Sequence, residues 1–350
     1  MAEYISFQPS DFFNPVAYTG TASGAKVVTG VGFQPDNIFF KLRSGVYAWA
    51  AIDAVRGVTK ILECDADGAE ATNSNYLASF DSDGFSTTAT QDTATNSSGT
   101  YMGFSWKMGT TTGIAGSPSI TPTSYSFDQT AAQSVITYTG NVTSGATIPH
   151  GLGVIPECVL VKNLSGTDDW QVYFTSLGGA NLGANKYFIL NTSARDAVAT
   201  NRWNDTAPTT TLFSLGSAAT VNGSGNDYVA YCFRSVNGYS SFGSYLGNGN
   251  ADGPFIYTGF RPAFVMTKRT AGTGDWYVYD DKRLGYNADN NALYADLTNA
   301  ESTSEDIDIL CNGFKLRTSN SEINNTERMC YIAFAEFPIV SSNDVPGLAR

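Results

Sequence analysis

The chain has 350 residues, 42% hydrophobic and 15% charged, so it is able to bury a sizeable core and is not wholly disordered. Its 32 acidic and 20 basic residues give a formal net charge of −12, which argues against binding nucleic acid through phosphates or lying on an anionic membrane surface. A single histidine, His150, excludes any pair of histidines as acid–base groups or metal ligands.

Residues 1–15 form a short lead that is rich in apolar side chains. These side chains are Tyr4, Ile5, Phe7, Phe12 and Phe13. Such a segment does not stay in water, so we expect it to act as an anchor that packs on another subunit or on a neighbouring protein. The start of the chain has no basic region followed by an apolar run, so no signal peptide is expected. No apolar run approaches ~18 residues, which argues against membrane insertion.

Three segments share one frame of residues, counted from a proline. A lysine follows at +6, a glycine at +10 and a tryptophan at +14. The members are Pro35, Lys41, Gly45 and Trp49, then Pro156, Lys162, Gly166 and Trp170, then Pro262, Lys268, Gly272 and Trp276. Three of the five tryptophans occupy the same place in the frame, which chance explains poorly. We expect each proline to open a strand and each tryptophan to pack in a core, with the lysine stem over its ring.

The frame predicts three tandem units of about 100 residues, at 16–108, 133–237 and 238–340. The stretch 109–132 is rich in Gly, Ser, Thr and Pro and is predicted to be a linker, and 341–350 is a tail. Runs such as NIFFK, CVLVK and FVMTK are typical of strands, and turn signals stand at 82–84 and 312–313. Tyr101, Tyr228 and Tyr331 head the closing run of each unit. We therefore predict an all-β chain of three antiparallel β-sandwich or jelly-roll-like units.

No pattern of residues singles out a catalytic group, a cofactor or a metal site. The cysteines number five, which is odd, and none has CxxC spacing. We therefore expect each cysteine to be a small buried hydrophobic residue with a free thiol, in a protein made in a reducing cytosol. His150 takes a place that is threonine in another copy, so we expect a turn residue. Glycoside hydrolysis needs only two acids, but nothing distinguishes a pair among so many.

Acidic turns offer the only hint of cation binding. Asp65, Asp67 and Glu70, and likewise Asp81 and Asp83, look like fragments of calcium loops, but neither set completes the pattern. The alternative is ordinary Asp/Gly turns, and the sequence leaves this open.

One further charged pair, Asp53 and Arg56, is expected to be a solvated ion pair, with an intersubunit contact as the alternative. The second and third units align here as FTSLG (174–178) and DKRLG (281–285), so the pair is not expected to be a rule of the fold.

Several segments together resemble a family of repeat-containing proteins encoded by tailed bacteriophages, many of them marine. They are the opening MAEYISFQPSDFFN, then TGVGFQPDNIFFKLRSG, DAVRGVTKIL, SFDSDGF and PHGLGVIP, and the close YIAFAEFP…VPGLAR. The resemblance covers nearly the whole chain and implies a β-rich virion structural protein, made in the host cytoplasm and carried on the particle surface. It implies other virion proteins as partners and, by analogy with phage appendages, a homotrimer. The family supplies no catalytic residues.

The expected function is therefore non-enzymatic: a tail-fibre or appendage protein involved in adhesion to the host surface. The alternatives are a capsid-decoration or head-fibre protein and a plain structural connector. A possible host-surface glycan would bind to the loop formed by Asn201, Arg202, Trp203, Asn204 and Asp205, because Trp203 lies outside the repeated frame and is free to stack on a sugar. The competing interpretation is that Trp203 covers the core of the second unit or seals a subunit contact.

Overall fold

The computed structural model describes residues 7–89, 92–177, 183–283, 291–303 and 307–338. Strands account for 42% and helices for 6%, and the sheets are antiparallel, so the all-β prediction is confirmed. Within the described ranges, no helix has the length and apolar character needed to cross a bilayer.

The first sheet region spans residues 13–106. Its strands are β1 (Phe13–Thr19), β2 (Val27–Thr29), β3 (Asn37–Leu42), β4 (Ala50–Asp53), β5 (Lys60–Ile61), β6 (Ala71–Thr72), β7 (Leu77–Asp81), β8 (Gly84–Thr87) and β9 (Thr100–Trp106). The larger sheet has the order β1–β9–β3–β4, a short sheet has the order β2–β8–β7, and β5 pairs with β6.

The second sheet region spans residues 124–233. Its elements are β10 (Ser124–Asp128), β11 (Gln133–Thr139), β12 (Ala146–Pro149), β13 (Cys158–Asn163), β14 (Gln171–Phe174), β15 (Lys186–Ile189), β16 (Ala197–Val198), α1 (Thr200–Trp203), β17 (Leu212–Leu215), α2 (Ala219–Asn222) and β18 (Asp227–Phe233). The larger sheet has the order β10–β11–β18–β13–β14–β15–β16, and β12 pairs with β17.

The third sheet region spans residues 240–338. Its elements are β19 (Ser240–Leu246), β20 (Phe255–Tyr257), β21 (Phe260–Arg269), β22 (Tyr277–Asp280), β23 (Leu293–Tyr294), β24 (Ile307–Leu310), β25 (Gly313–Leu316), α3 (Ser321–Asn324) and β26 (Arg328–Pro338). The larger sheet has the order β19–β26–β21–β22–β23, and the short sheet has the order β20–β25–β24.

The three larger sheets share one strand arrangement. In each, an early strand pairs with the last strand of the region, the last strand pairs with the strand that carries the frame lysine, and that strand pairs with the one that follows the frame tryptophan. The short sheets come from the strands in between. The cross-strand register therefore defines which positions correspond between regions.

Each larger sheet is buried on both of its faces. In β3, Ile38 and Phe40 face an outer core shared with the short sheet, whereas Phe39 packs against a central core. In β26, Ala333 faces the outer core and Ile332 the central one. Because both faces are covered, these strands are continuous apolar runs rather than alternating ones.

The central core is built by all three larger sheets together. It includes Phe104 from the first region, Tyr231 from the second and Phe334 from the third, each at most 3% exposed. Three outer cores, one per region, lie between a larger sheet and its short sheet.

Tight hairpins close two of the short sheets at the positions where turns are predicted. β7 and β8 are joined through Ser82 and Asp83, and Gly84 has φ +139°. A Cβ at Gly84 would lie 2.1 Å from the Val28 carbonyl oxygen, and one at Gly313 would lie 2.0 Å from that of Ile256. Only glycine allows the neighbouring strand to come this close.

Three local expectations are wrong. The predicted linker 109–132 contains the edge strand β10, which is held because Phe127 is buried and pairs with Thr110. Pro262 does not open β21 but lies inside it at a register shift, where its missing N–H is tolerated. The register pairs Tyr245 with Met329, just as it pairs Tyr18 with Tyr101. The position in the third region that corresponds to Tyr101 is therefore Met329, not the expected Tyr331.

Candidate functional site

The loop predicted to contact glycan does not present a free aromatic ring. Trp203 ends α1, is 2% exposed and packs edge-to-face on Tyr173 in the outer core of the second region. Arg202 bonds the Gln171 side chain and lies over the Tyr187 ring. A ring buried to this degree offers no face to a sugar, so the expectation of a stacking tryptophan here is not retained. The flanking Asn201 is exposed, and Asn204 and Asp205 are half-buried.

The described part of the lead packs on its own chain, contrary to the expected anchor. Phe13 is 1% exposed and stacks on Phe334 at a centroid distance of 4.8 Å. Phe7 and Phe12 pack against each other and against Tyr239. The central core therefore satisfies these side chains without a second subunit. Tyr4 and Ile5 lie outside the described residues.

The frame tryptophans and lysines meet where the three larger sheets join. Trp49, Trp170 and Trp276 are at most 2% exposed and belong to the central core. The frame lysines Lys41, Lys162 and Lys268 are fully buried. The ammonium groups of Lys41 and Lys268 lie 5.8 and 5.5 Å from the ring centroids of their tryptophans. This is the arrangement that the spacing predicts. The glycines at +10 lie in the connections between the lysine strand and the tryptophan.

Each buried lysine donates to a backbone carbonyl six residues further along the chain. The acceptors are Tyr47, Asp168 and Gly274. Burial lowers the pKa of all three lysines from 10.5 to about 8, and nearby carboxylates such as Asp65, Asp168 and Asp296 oppose the shift. A lysine held in this way fixes the loop that leads into the tryptophan.

Each tryptophan also bonds across to another sheet region. The indole N–H bonds run from Trp49 to the Tyr294 carbonyl (2.8 Å), from Trp170 to Glu63 (2.9 Å) and from Trp276 to Ile189 (3.0 Å). The first region thus bonds to the third, the second to the first and the third to the second.

Backbone bonds follow the same direction around the centre. N–H groups of Tyr47, Asp168 and Gly274 donate at 2.9 Å to the carbonyls of Thr298, Asp67 and Ser193. In the reverse sense, the backbone N–H groups of Glu301, Glu70 and Asp196 donate to the carbonyls of Arg43, Leu164 and Thr270. Contacts that run head to tail and return to the start close a ring, so the three regions interlock cyclically.

Asp53 and Arg56 form a buried ion pair, which corrects the expectation of a solvated one. Their side chains are 0% and 2% exposed, Nε lies 2.6 Å from Oδ2, and the Tyr231 hydroxyl donates to the same carboxylate at 2.7 Å. The third region has an equivalent pair, Asp280 and Arg283, at 2.6 Å with 0% and 1% exposure. The pair begins one residue before DKRLG, so the expectation that no equivalent exists is wrong, although the Asp-x-x-Arg spacing is visible in the sequence.

The other candidates for chemistry serve local structure. His150 is buried at the end of β12, where it accepts from the Leu152 N–H at Nδ1 and donates from Nε2 to the Thr209 carbonyl. Burial lowers its pKa to about 4. Cys64, Cys158, Cys232 and Cys330 are buried and Cys311 is half-buried, all as free thiols.

The acidic turns are used as backbone acceptors. Asp65 caps the Trp49 N–H at 3.0 Å, and Asp83 accepts from the N–H groups of Gly30 and Gly32. Glu70 pairs with Arg56 and Lys60. Among the described residues, no group of three or more His, Cys, Asp or Glu side chains could hold a metal ion.

Two aromatic side chains are exposed side by side on a strand of the third region. Phe255 and Tyr257 occupy the outer face of β20 and are 43% and 62% exposed. Lys315 lies opposite Phe255 and pairs with Asp252 at 2.9 Å. The corresponding positions of the first region, fixed by the Val28–Phe85 and Ile256–Phe314 pairs, are Val27 and Thr29. The fold therefore does not require aromatics at these places.

Comparison with known proteins identifies a family model that covers most of the chain. A family described as a domain of unknown function, DUF7483, matches residues 8–338. No curated protein and no solved structure matched the chain.

Proposed function

We propose that this chain, which belongs to the DUF7483 family, is a non-enzymatic structural protein on the surface of a bacteriophage particle, in a tail fibre or appendage that adheres to the host. The sequence resemblance to phage repeat proteins supports the location. The observation that carries the structural role is the cyclic interlock, in which the frame tryptophans bond one sheet region to the next.

The test is the position of the protein in purified particles, by cryo-electron microscopy with a labelled antibody. Density on the tail or neck is expected. Density that follows the capsid lattice would favour the alternative, a capsid-decoration or head-fibre protein, and absence from particles would overturn the proposal.

We propose further that the three sheet regions are three copies of one unit, arranged about a shared axis. The common strand order and the equal directions of the interlocking bonds support this. A single chain would then present the threefold arrangement that phage appendages usually build from three chains. Light scattering of the purified protein tests it: a 37.3 kDa monomer is expected, whereas three times that mass would favour the homotrimer.

Adhesion to a host glycan is assigned in this proposal to Phe255 and Tyr257 instead of the loop around Trp203. Aromatic faces stack on sugar rings, and exposed Asp252 and half-buried Lys315 beside them offer hydrogen bonds.

Replacing both Phe255 and Tyr257 with Ala is expected to lower phage adsorption at least severalfold without loss of particles. The matched control is Val27→Ala, at the corresponding exposed place of the first region. Equal adsorption by both variants would remove this surface from the proposal.

A further inference from the structure

Two carboxyl groups of the third region are in contact beside the frame tryptophan Trp276. Asp275 directly precedes this tryptophan and is half-buried, whereas Asp296 follows β23 and is 5% exposed. Asp296 Oδ1 accepts from the Trp276 backbone N–H at 2.9 Å, and the two acid side chains are hydrogen-bonded to each other. Asp296 Oδ2 has no donor among the described residues. Ionised carboxylates only accept hydrogen bonds, so this contact needs a proton on one of the two acids.

The second region builds the same contact with an amide in place of one carboxyl. Asn191 Oδ1 accepts from the Trp170 N–H at 2.9 Å, and its Nδ2 donates to the Asp169 carboxylate at 2.8 Å. Asp169 and Asp275 each precede a frame tryptophan, so Asn191 and Asp296 occupy corresponding places. The Asn191 amide supplies a hydrogen at any pH, whereas Asp296 supplies one only while it is protonated.

A third acid adjoins the pair. The Asp275 N–H donates to Glu322 Oε2 on α3 at 3.1 Å, and Glu322 is also hydrogen-bonded to the Tyr277 hydroxyl. The corresponding position of α2 in the second region is Thr220, which has no charge. A further negative charge close to Asp275 and Asp296 makes it less favourable for both of them to ionise.

Two buried lysines face the pair but do not neutralise it. The Lys268 ammonium on β21 and the Lys41 ammonium of the first region donate to backbone carbonyls, and in the described part of the chain neither forms an ion pair with Asp296. Burial raises the pKa of Asp296 from 3.8 to about 7. The Trp276 N–H and the charge of Lys268 oppose this shift of the pKa, whereas the charge of Asp275 adds to it. The surroundings therefore support one retained proton.

The pair lies between two bonds that hold the third region to the second. The Gly274 N–H donates to the Ser193 carbonyl at 2.9 Å, and the Trp276 indole N–H donates to the Ile189 carbonyl at 3.0 Å. Asp275 is the residue between the two donors, and Asp296 caps the backbone N–H of the second one. A repulsion between the two acids therefore acts directly on the loop that makes both bonds.

We propose that Asp296 and Asp275 share one proton in mildly acidic solution and that losing this proton loosens the junction between the third and second regions. While it is protonated, Asp296 donates to Asp275 as the amide of the second region does to its own acid. Once both acids are ionised they repel each other, and the loop 274–276 is pushed away from its acceptors. The second region lacks this response because its amide does not titrate, and the first lacks it because Ala48 stands in the place of Asp275.

The expected dependence of stability on pH has a definite sign. The unfolded chain releases the Asp296 proton near pH 3.8, and the folded chain releases it near pH 7, because burial raises the pKa. Between these values the folded state binds more protons than the unfolded state. Stability therefore falls as the pH rises, and the loss is complete above about pH 8.

Asp296→Asn gives the third region the amide that the second region already has. The unfolding equilibrium constant of the wild type, divided by that of this variant, should increase at least about tenfold between pH 5 and 8 in urea denaturation of the full chain. Asn191→Asp is the reciprocal variant, because it places a second acid beside Asp169. It should give the second region the same dependence on pH.

Hydrogen exchange tests whether the effect is local. Between pH 6 and 8 the protection factors of the Gly274 amide and the Trp276 indole should fall, while those of the Asp168 amide and the Trp170 indole in the same sample stay constant. A carbon-13 NMR titration should place the pKa of the Asp296 carboxyl well above the ordinary aspartate range. Parallel pH dependence of the wild type and Asp296→Asn, an Asp296 carboxyl that titrates in the ordinary range, or equal changes of protection at the two junctions would each overturn the proposal.

Discussion

At the scale of single residues, the tryptophans of the repeated frame connect neighbouring sheet regions. Trp49 packs in the central core, receives a cap on its N–H from Asp65 and donates its indole N–H to Tyr294. Asn191 and Asp296 cap the other two tryptophans in the same way. One side chain thus links its own strand to a neighbouring region through packing and a hydrogen bond together.

The two contributions of a frame tryptophan can be separated by substitution. Trp170→Ala should lower the free energy of unfolding by ~3–5 kcal/mol because it empties a buried aromatic site. Trp170→Phe keeps much of the packing, loses the bond to Glu63 and leaves its carbonyl unpaired, so it should cost ~1–3 kcal/mol. Urea denaturation measures both, and equal losses for the two variants would contradict this division.

The buried lysines predict a dependence of stability on pH. In the folded chain Lys162 loses its proton near pH 8, but in the unfolded chain it does so near 10.5. Between these values the unfolded state binds more protons, so stability increases with pH, by at most about 1.4 kcal/mol per pH unit for one lysine.

The Lys162→Met variant should not show this increase of stability with pH at position 162. Its deficit in unfolding free energy relative to wild type should grow between pH 8 and 9.5, below the titration of tyrosines. A deficit that is constant over this range would show that Lys162 keeps an ordinary pKa in the fold.

At the scale of elements, two ion pairs fasten the ends of corresponding strands. Asp53 ends β4 and Asp280 ends β22, and in each case the arginine three residues later also donates to the carbonyl two residues before the acid, Ala51 or Val278. The second region has Phe174 at this place, opposite Cys158. An apolar contact can therefore occupy this strand end in place of a buried ion pair.

Breaking one such pair should be costly. Arg56→Met leaves the Asp53 carboxylate buried without its counter-ion and is expected to lower the free energy of unfolding by ~3–5 kcal/mol. Arg195→Met is the control, because the Arg195 side chain is 60% exposed and its ion pair with Asp196 should contribute no more than ~1 kcal/mol. Similar midpoints for both variants in thermal denaturation would show that the buried pair is not needed.

At the scale of the whole molecule, the central core makes the three sheet regions depend on one another. Each region has an outer core of its own, but among the described residues the inner face of its larger sheet packs against the other two regions in the central core. This differs from independent domains joined by linkers, where each unit buries its own apolar surface.

A fragment of residues 109–237, which holds the whole second region, is therefore expected not to fold alone. It would expose the inner face of its sheet, including Trp170, Val229 and Tyr231. Circular dichroism and NMR of the fragment should show poorly dispersed or aggregated chain, and the full chain should unfold in one transition. A fragment with a dispersed NMR spectrum and its own cooperative transition would contradict this.

The sequence by itself determined the strand-forming runs, the hairpin turns at Gly84 and Gly313, and the burial of the three frame tryptophans, because these follow from local propensity and from a spacing kept in each copy. It could not place Phe13 or Trp203, since an apolar side chain fits a subunit contact, a ligand or a core equally well by composition. Only the tertiary structure decided that Asp53 and Arg56 are buried beside Tyr231 of the second region. Residues far apart in the chain meet at this ion pair because the three larger sheets pack against one another, and no local pattern specifies that packing.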